Sequence, residues 1–183
     1  MSAFACWRRL DTPGHDAAHL APAPFGWALH GAAVFMHDGA PACLRYALEL
    51  NADWTTRKGE IEGFLGKRRL KASIERQRSG WHLNGMHVAG LARLVDLDLG
   101  FTPATNLPQL AGADLMIGSS IELPVAWLDV DAASLVELPQ RYERRGEFTY
   151  WYEAPTVPYE ALLTVSPSGF VQNYPGLWQA ERS

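Results

Sequence analysis

Two glycine dipeptides set inside alternating sequence constrain this chain most. Asp38-Gly39 lies between AAVFM and CLRYALEL, and Asn84-Gly85 lies between GWHL and MHVAGL. Asp or Asn followed by Gly tolerates the positive φ angles of a tight hairpin turn, so each pair predicts antiparallel strands on both sides. The flanks agree. In RYALEL, Tyr46, Leu48 and Leu50 share one face, with Ala47 and Glu49 on the other; in RLKASIER, Leu70, Ala72 and Ile74 oppose Lys71, Ser73 and Glu75. LVDLDLG, SIELPVAWLDV, EFTYWYE and EALLTV continue the theme. Thr12 to Pro24, with Pro13, Gly14 and Pro22, reads as irregular, and ASLVELPQRYERR reads as the start of a helix interrupted by Pro139.

So many strands need their edges closed or covered. The expected fold is mainly β: a rolled, largely antiparallel sheet, barrel-like or a spiral β-roll, with few short helices. At 183 residues the chain suits a single domain spanning 1–183. YALELNADWTT and EALLTVSPSGFVQ share an apolar strand, a polar turn, an aromatic and a second strand. That fits two related halves, and equally fits the ordinary recurrence of hairpins.

Composition excludes several classes. Hydrophobic residues at 48% against 20% charged describe a chain with a packed core, not a disordered one. A net charge of −4 and an isoelectric point near 5.8 argue against a nucleic-acid partner or an anionic membrane surface. The short run Lys67-Arg68-Arg69 reads as a solvated turn. Cys6 and Cys43 form no disulfide framework and no CxxC. The opening MSAFACWRRL carries its charges after its apolar residues, unlike a signal peptide, and no apolar run reaches bilayer length. The expectation is a cytoplasmic protein without integral membrane association.

The least ordinary stretch is DLDLGFTPATNLPQL, Asp96 to Leu110. Val95, Leu97 and Leu99 fall on one face of a strand, and Asp96 and Asp98 on the other. Thr102 and Pro103 suit a helix start, and Pro108 biases Leu107 toward extended geometry, so a helix of little more than one turn is expected. The corner exposes free N–H groups beside Thr102, Thr105 and Asn106, which can hold a hydroxyl or carboxylate or can bond their own backbone. QRYERR followed by FTYWYE places Arg141 near Tyr142, a combination able to grip an anion or a sugar ring. In NYPGLW, Tyr174 and Trp178 flank a Pro-Gly turn and read first as a hydrophobic latch. In DWTTRKG, Trp54 reads as core and Arg57 as an ion-pair partner for Asp96 or Asp98. Catalytic signatures such as GxSxG, HExxH and a phosphate loop are absent, and the histidines (His15 with His19, His82 with His87) lack ligand partners in pattern. No catalytic residue, metal or cofactor is assigned.

DLDLGFTPATNLP, VAWL, QRYERRGEFTYWYE and GFVQNYPGLW, with WRRLD and DWTTRKGEIEG upstream, together resemble the putative glycolipid-binding family of bacterial proteins over nearly the whole chain. The resemblance implies a rolled antiparallel sheet in two related halves, similar to the half-barrels of bacterial lipoprotein carriers. It also implies a concave, partly apolar face able to hold an acyl chain. The expected activity is non-catalytic binding of an amphiphile, a glycolipid or fatty-acyl molecule. Its chain would lie on inward Leu, Ile, Phe and Trp side chains, with its head among Asp96, Asp98, Thr102, Thr105, Asn106, Arg57, Arg141, Tyr142, Trp54 and Tyr174. Two alternatives stand beside it: a small-substrate hydrolase or isomerase with Asp96 or Asp98 as general base, and a peptide-interaction module.

Overall fold

The alternation that marks Tyr46 to Leu50 runs through most of the molecule. A computed structural model describes residues 2–181. A first meander comprises β1 (Ala3–Arg9), β2 (Gly14–Ala23), β3 (Gly26–His37), β4 (Ala40–Asn51), β5 (Thr56–Leu65), β6 (Arg68–Gln77), β7 (Gly80–Leu83) and β8 (Met86–His87). An inserted stretch follows, with β9 (Leu97–Asp98), α1 (Asn106–Ala113), β10 (Ser120–Glu122), β11 (Val125–Asp129) and β12 (Ser134–Leu138). A second meander closes it: β13 (Arg141–Gly146), β14 (Thr149–Ala154), β15 (Tyr159–Val165), β16 (Val171–Tyr174) and β17 (Trp178–Ala180).

Fourteen of these strands make one antiparallel sheet, in the order β10-β13-β14-β15-β16-β17-β1-β2-β3-β4-β5-β6-β7-β8. The two meanders meet at β1 and β17, in the register Trp7↔Ala180 and Arg9↔Trp178. The edge strands β10 and β8 do not pair with each other, so the sheet rolls without closing into a barrel. Both glycine dipeptides make the turns their sequence predicts, with positive φ at Asp38 and Gly39 and at Asn84 and Gly85.

One face of the roll is apolar. Leu29, Leu44, Leu48, Leu50, Ile61 and Ile74 are fully buried, and so is Trp7, whose Nε1 donates to the Val171 carbonyl at 2.6 Å across the seam. This face packs into one core with β9, α1 and the small sheet β12-β11-β9. The inward Leu and Ile side chains expected to hold an acyl chain are therefore occupied by the protein's own packing.

Three local expectations need correction. Thr12 to Pro24 is not irregular: β2 occupies ten residues of it, with Asp16, Ala18 and Leu20 inward. Its Ala and His positions give too little contrast between faces to be read as alternation. Ser134 to Leu138 is a strand, because the helix-like spacing of buried Leu135 and Leu138 yields to pairing with β11. The helix α1 has eight residues, just over two turns, where little more than one was expected. Pro108 is its third residue, where the missing N–H has no intrahelical acceptor in any case.

Candidate functional site

The site grows from the way β9 is suspended. Thr56 N–H donates to the Val95 carbonyl at 3.0 Å, and Thr56 Oγ1 accepts from Leu97 N–H at 3.1 Å. On the other side β9 pairs in parallel with β11. A Cβ on Gly59 would lie 2.7 Å from Leu97 Cδ2, so glycine there lets the corner settle against the sheet. Both faces of this strand are covered, since Asp96, Leu97, Asp98 and Leu99 are all buried.

Two polar networks hold the corner. In the first, Thr102 Oγ1 donates to Asp16 Oδ2 at 2.5 Å and accepts from Ala104 N–H at 3.0 Å. The Tyr46 hydroxyl donates to Asp16 at 3.0 Å, and its ring lies over Gly31, where a Cβ would come within 2.2 Å. Burial pushes the Asp16 carboxyl up to about 7, only partly opposed by the bonds from Thr102 and Tyr46. Burial and the neighbouring Asp16 also push Tyr46 well up.

In the second network, Asp98 Oδ2 accepts from Gln109 Nε2 at 2.9 Å and from Thr105 Oγ1 at 3.4 Å. Gln109 Oε1 accepts from Tyr142 at 3.1 Å and from Gln140 Nε2 at 2.6 Å. Asn106 Nδ2 donates to the Tyr142 hydroxyl at 2.8 Å, and Tyr152 donates to Gln140 Oε1 at 2.9 Å. Burial raises Asp98 to about 6 against the pull of Gln109 and Thr105.

Beside this network lies a cavity of about 270 Å³. Asp98, Gly100, Thr102 and Asn106 line one side. Trp127, Leu138, Tyr152, Tyr159, Tyr174, Leu177 and Trp178 supply apolar and aromatic walls, with the half-exposed Val157 beside them. The indole of Trp127 reaches over Gly100, where a Cβ would meet Nε1 at 2.5 Å. Several polar atoms of the lining side chains make no protein hydrogen bond among the described residues, among them Asp98 Oδ1, Asn106 Oδ1 and the indole Nε1 of both Trp127 and Trp178. Asp98 is 8% exposed and Asn106 3%, so bulk water is largely excluded from both.

Of the residues singled out by sequence, Asp98, Thr102, Asn106 and Tyr174 line the cavity, and Thr105 and Tyr142 brace it from behind. Four stand elsewhere. Arg57 does not pair with Asp96 or Asp98; it reaches Glu49 at 3.7 Å and rests over the Phe25 ring. Arg141 sits among Glu122, Glu143 and Glu153 at 3.4–3.7 Å, so its charge is already answered away from the cavity. Trp54 is half-buried and stacks on Trp27 at 4.6 Å, with φ at 73°. Asp96 lies outside the cavity; burial raises it to about 6, with Arg76 pulling down.

Sequence reasoning missed Asp16, Gln109, Gln140 and Trp127. Asp16 lay in a segment read as irregular, and the glutamines carry no motif. For metal-ligating types, His37, Asp38 and Asp131 come together at the surface, where Arg68 already approaches Asp131 at 3.8 Å. Among the described residues no helix is long and apolar enough to cross a membrane.

Fold and cavity together define a rolled-sheet β protein that encloses a small chamber, polar on one side and aromatic on the other. The chain belongs to the family described as putative glycolipid-binding, which matches residues 4–180. A DUF1089 family protein from Pseudomonas aeruginosa, known from a crystal structure, superposes with a TM-score of 0.72 at 24% identity. The match covers 98% of this chain and 91% of that one. That likeness speaks for the fold. No curated protein matches the chain significantly.

Proposed function

We propose that the protein binds an amphiphile, a glycolipid or fatty-acyl molecule, without transforming it, the chain acting as one domain in the cytoplasm. The observation that carries this reading is the cavity, where aromatic walls face two oxygen acceptors of buried residues, Asp98 Oδ1 and Asn106 Oδ1, that make no protein hydrogen bond. Filling the cavity with an apolar group alone would strip both oxygens of any donor, so the site favours a guest that brings its own donors alongside apolar surface. The family's description supports the glycolipid form of this reading.

Native mass spectrometry of the protein purified from its own host tests it directly. A co-purifying amphiphile, released on denaturation, is the expected result. A protein that carries none and also fails to bind both alkyl glycosides and fatty acids removes the proposal.

One observation favours a second reading. Asp98, raised to about 6 beside a cavity, has the environment of a general base, as a small-substrate hydrolase or isomerase needs. Asp96 stands outside the cavity, so that reading rests on Asp98 alone. Asp98→Asn separates the two: a base loses turnover almost wholly, whereas a hydroxyl acceptor loses part of its affinity.

A further inference from the structure

Resting on the amphiphile reading, we infer that the ligand enters head first, and that the head in the cavity is a single uncharged sugar ring. Size is the first argument. A pyranose of about twelve non-hydrogen atoms fills roughly 200 Å³ at the density of a protein interior, and a sixteen-carbon chain needs roughly 400 Å³. The cavity offers about 270 Å³. The inward side chains of the first meander, Leu44, Leu50 and Ile74 among them, are packed into the core and offer a chain no further room.

Chemistry is the second argument. A methylene chain would leave Asp98 Oδ1 and Asn106 Oδ1 buried against CH₂ groups with nothing to accept. Sugar hydroxyls supply what this lining asks for, donors to the two oxygens and acceptors for the indole N–H groups. The C–H faces of that ring pack on the aromatic faces of Tyr152, Tyr174 and Trp178. Charge is the third. No Lys or Arg lines the cavity and Asp98 does, which disfavours a phosphate or carboxylate head. A quaternary ammonium would suit the rings and Asp98, but it leaves the indole N–H of Trp127 unanswered. The acyl part of the molecule then lies outside, past the exposed Val157.

Binding to the full chain, followed by titration calorimetry, decides it. The probes are octyl β-glucopyranoside and octyl β-galactopyranoside, the matching methyl glycosides, octanoate and choline. We expect a methyl glycoside to displace its octyl partner, with affinities within about tenfold of each other, and octanoate and choline to compete with neither. Trp127→Phe, which keeps a ring and removes the N–H, should weaken glycoside binding about tenfold without lowering the melting temperature. Asp98→Asn should weaken it as well. If octanoate competes and methyl glycosides do not bind, the chain enters first: this inference falls and the amphiphile reading stands. Competition by choline alone overturns the sugar assignment. If no probe binds, the amphiphile reading itself fails and takes this one with it.

Discussion

Asp16 is the acid most at odds with its surroundings. It is 1% exposed, its side-chain partners are the neutral Thr102 and Tyr46, and it titrates near 7 in place of the usual 3.8. A folded-state value above the unfolded one means that the native chain keeps a proton that the unfolded chain has already lost. Stability therefore falls as pH rises from about 4 to about 7, and levels off above that. Asp98 and Asp96, both raised to about 6, act in the same direction over the lower part of that window. Thermal melting across pH 4.5–8.5 should decline with pH, and Asp16→Asn should flatten a part worth a few kcal/mol. A variant whose melting declines as steeply as the parent's would show that Asp16 is not the group responsible. Asn106→Ala removes the donor to Tyr142 and should lower stability by about 1–3 kcal/mol. Unchanged melting would mean that water substitutes for the amide without loss.

At the level of elements, α1 shows how proline position matters more than proline presence. Pro108 stands where no intrahelical bond is missing, so Pro108→Ala should change stability by less than about 1 kcal/mol, slightly downward through the unfolded chain. A loss of several kcal/mol in chemical denaturation would show that the ring packs in a way the backbone argument ignores. Element by element, the sequence was legible wherever contrast was high. The Asp38-Gly39 and Asn84-Gly85 turns, and the faces of β4 and β6, follow from period-two alternation. β2 was opaque because alanines mark neither face, and α1 because the bias of a residue before proline away from helix does not hold in the first turn, where Pro108 stands. In the site, the corner residues Asp98, Thr102 and Asn106 were visible as a cluster of small polar side chains. Gln109 and Gln140 were not, because an amide gains its role only from a partner brought close by the fold. Arg57 and Arg141 misled for the same reason: carboxylates on neighbouring strands reached them first.

For the whole molecule, the seam between β1 and β17 carries the architecture. Trp178 and Tyr174 are buried beside it, and β16 and β17 are what join the second meander to the first. Removing the chain from Asn173 onward takes away two large buried aromatics, Tyr174 and Trp178, each worth roughly 1.5–3 kcal/mol, and parts the sheet in the middle. Such a truncation should melt well below the full chain, or fail to give a cooperative transition. An unchanged melting temperature would make the seam decorative.

That seam also bears on how the protein is born. One partner of β1, the neighbouring β2, follows at once, but the other, β17, lies roughly 170 residues downstream, so at about 5–20 residues per second a ribosome needs roughly 9–35 s to deliver it. Throughout that interval Ala3–Arg9 is a nascent edge with half its ladder empty and Trp7 without its lid.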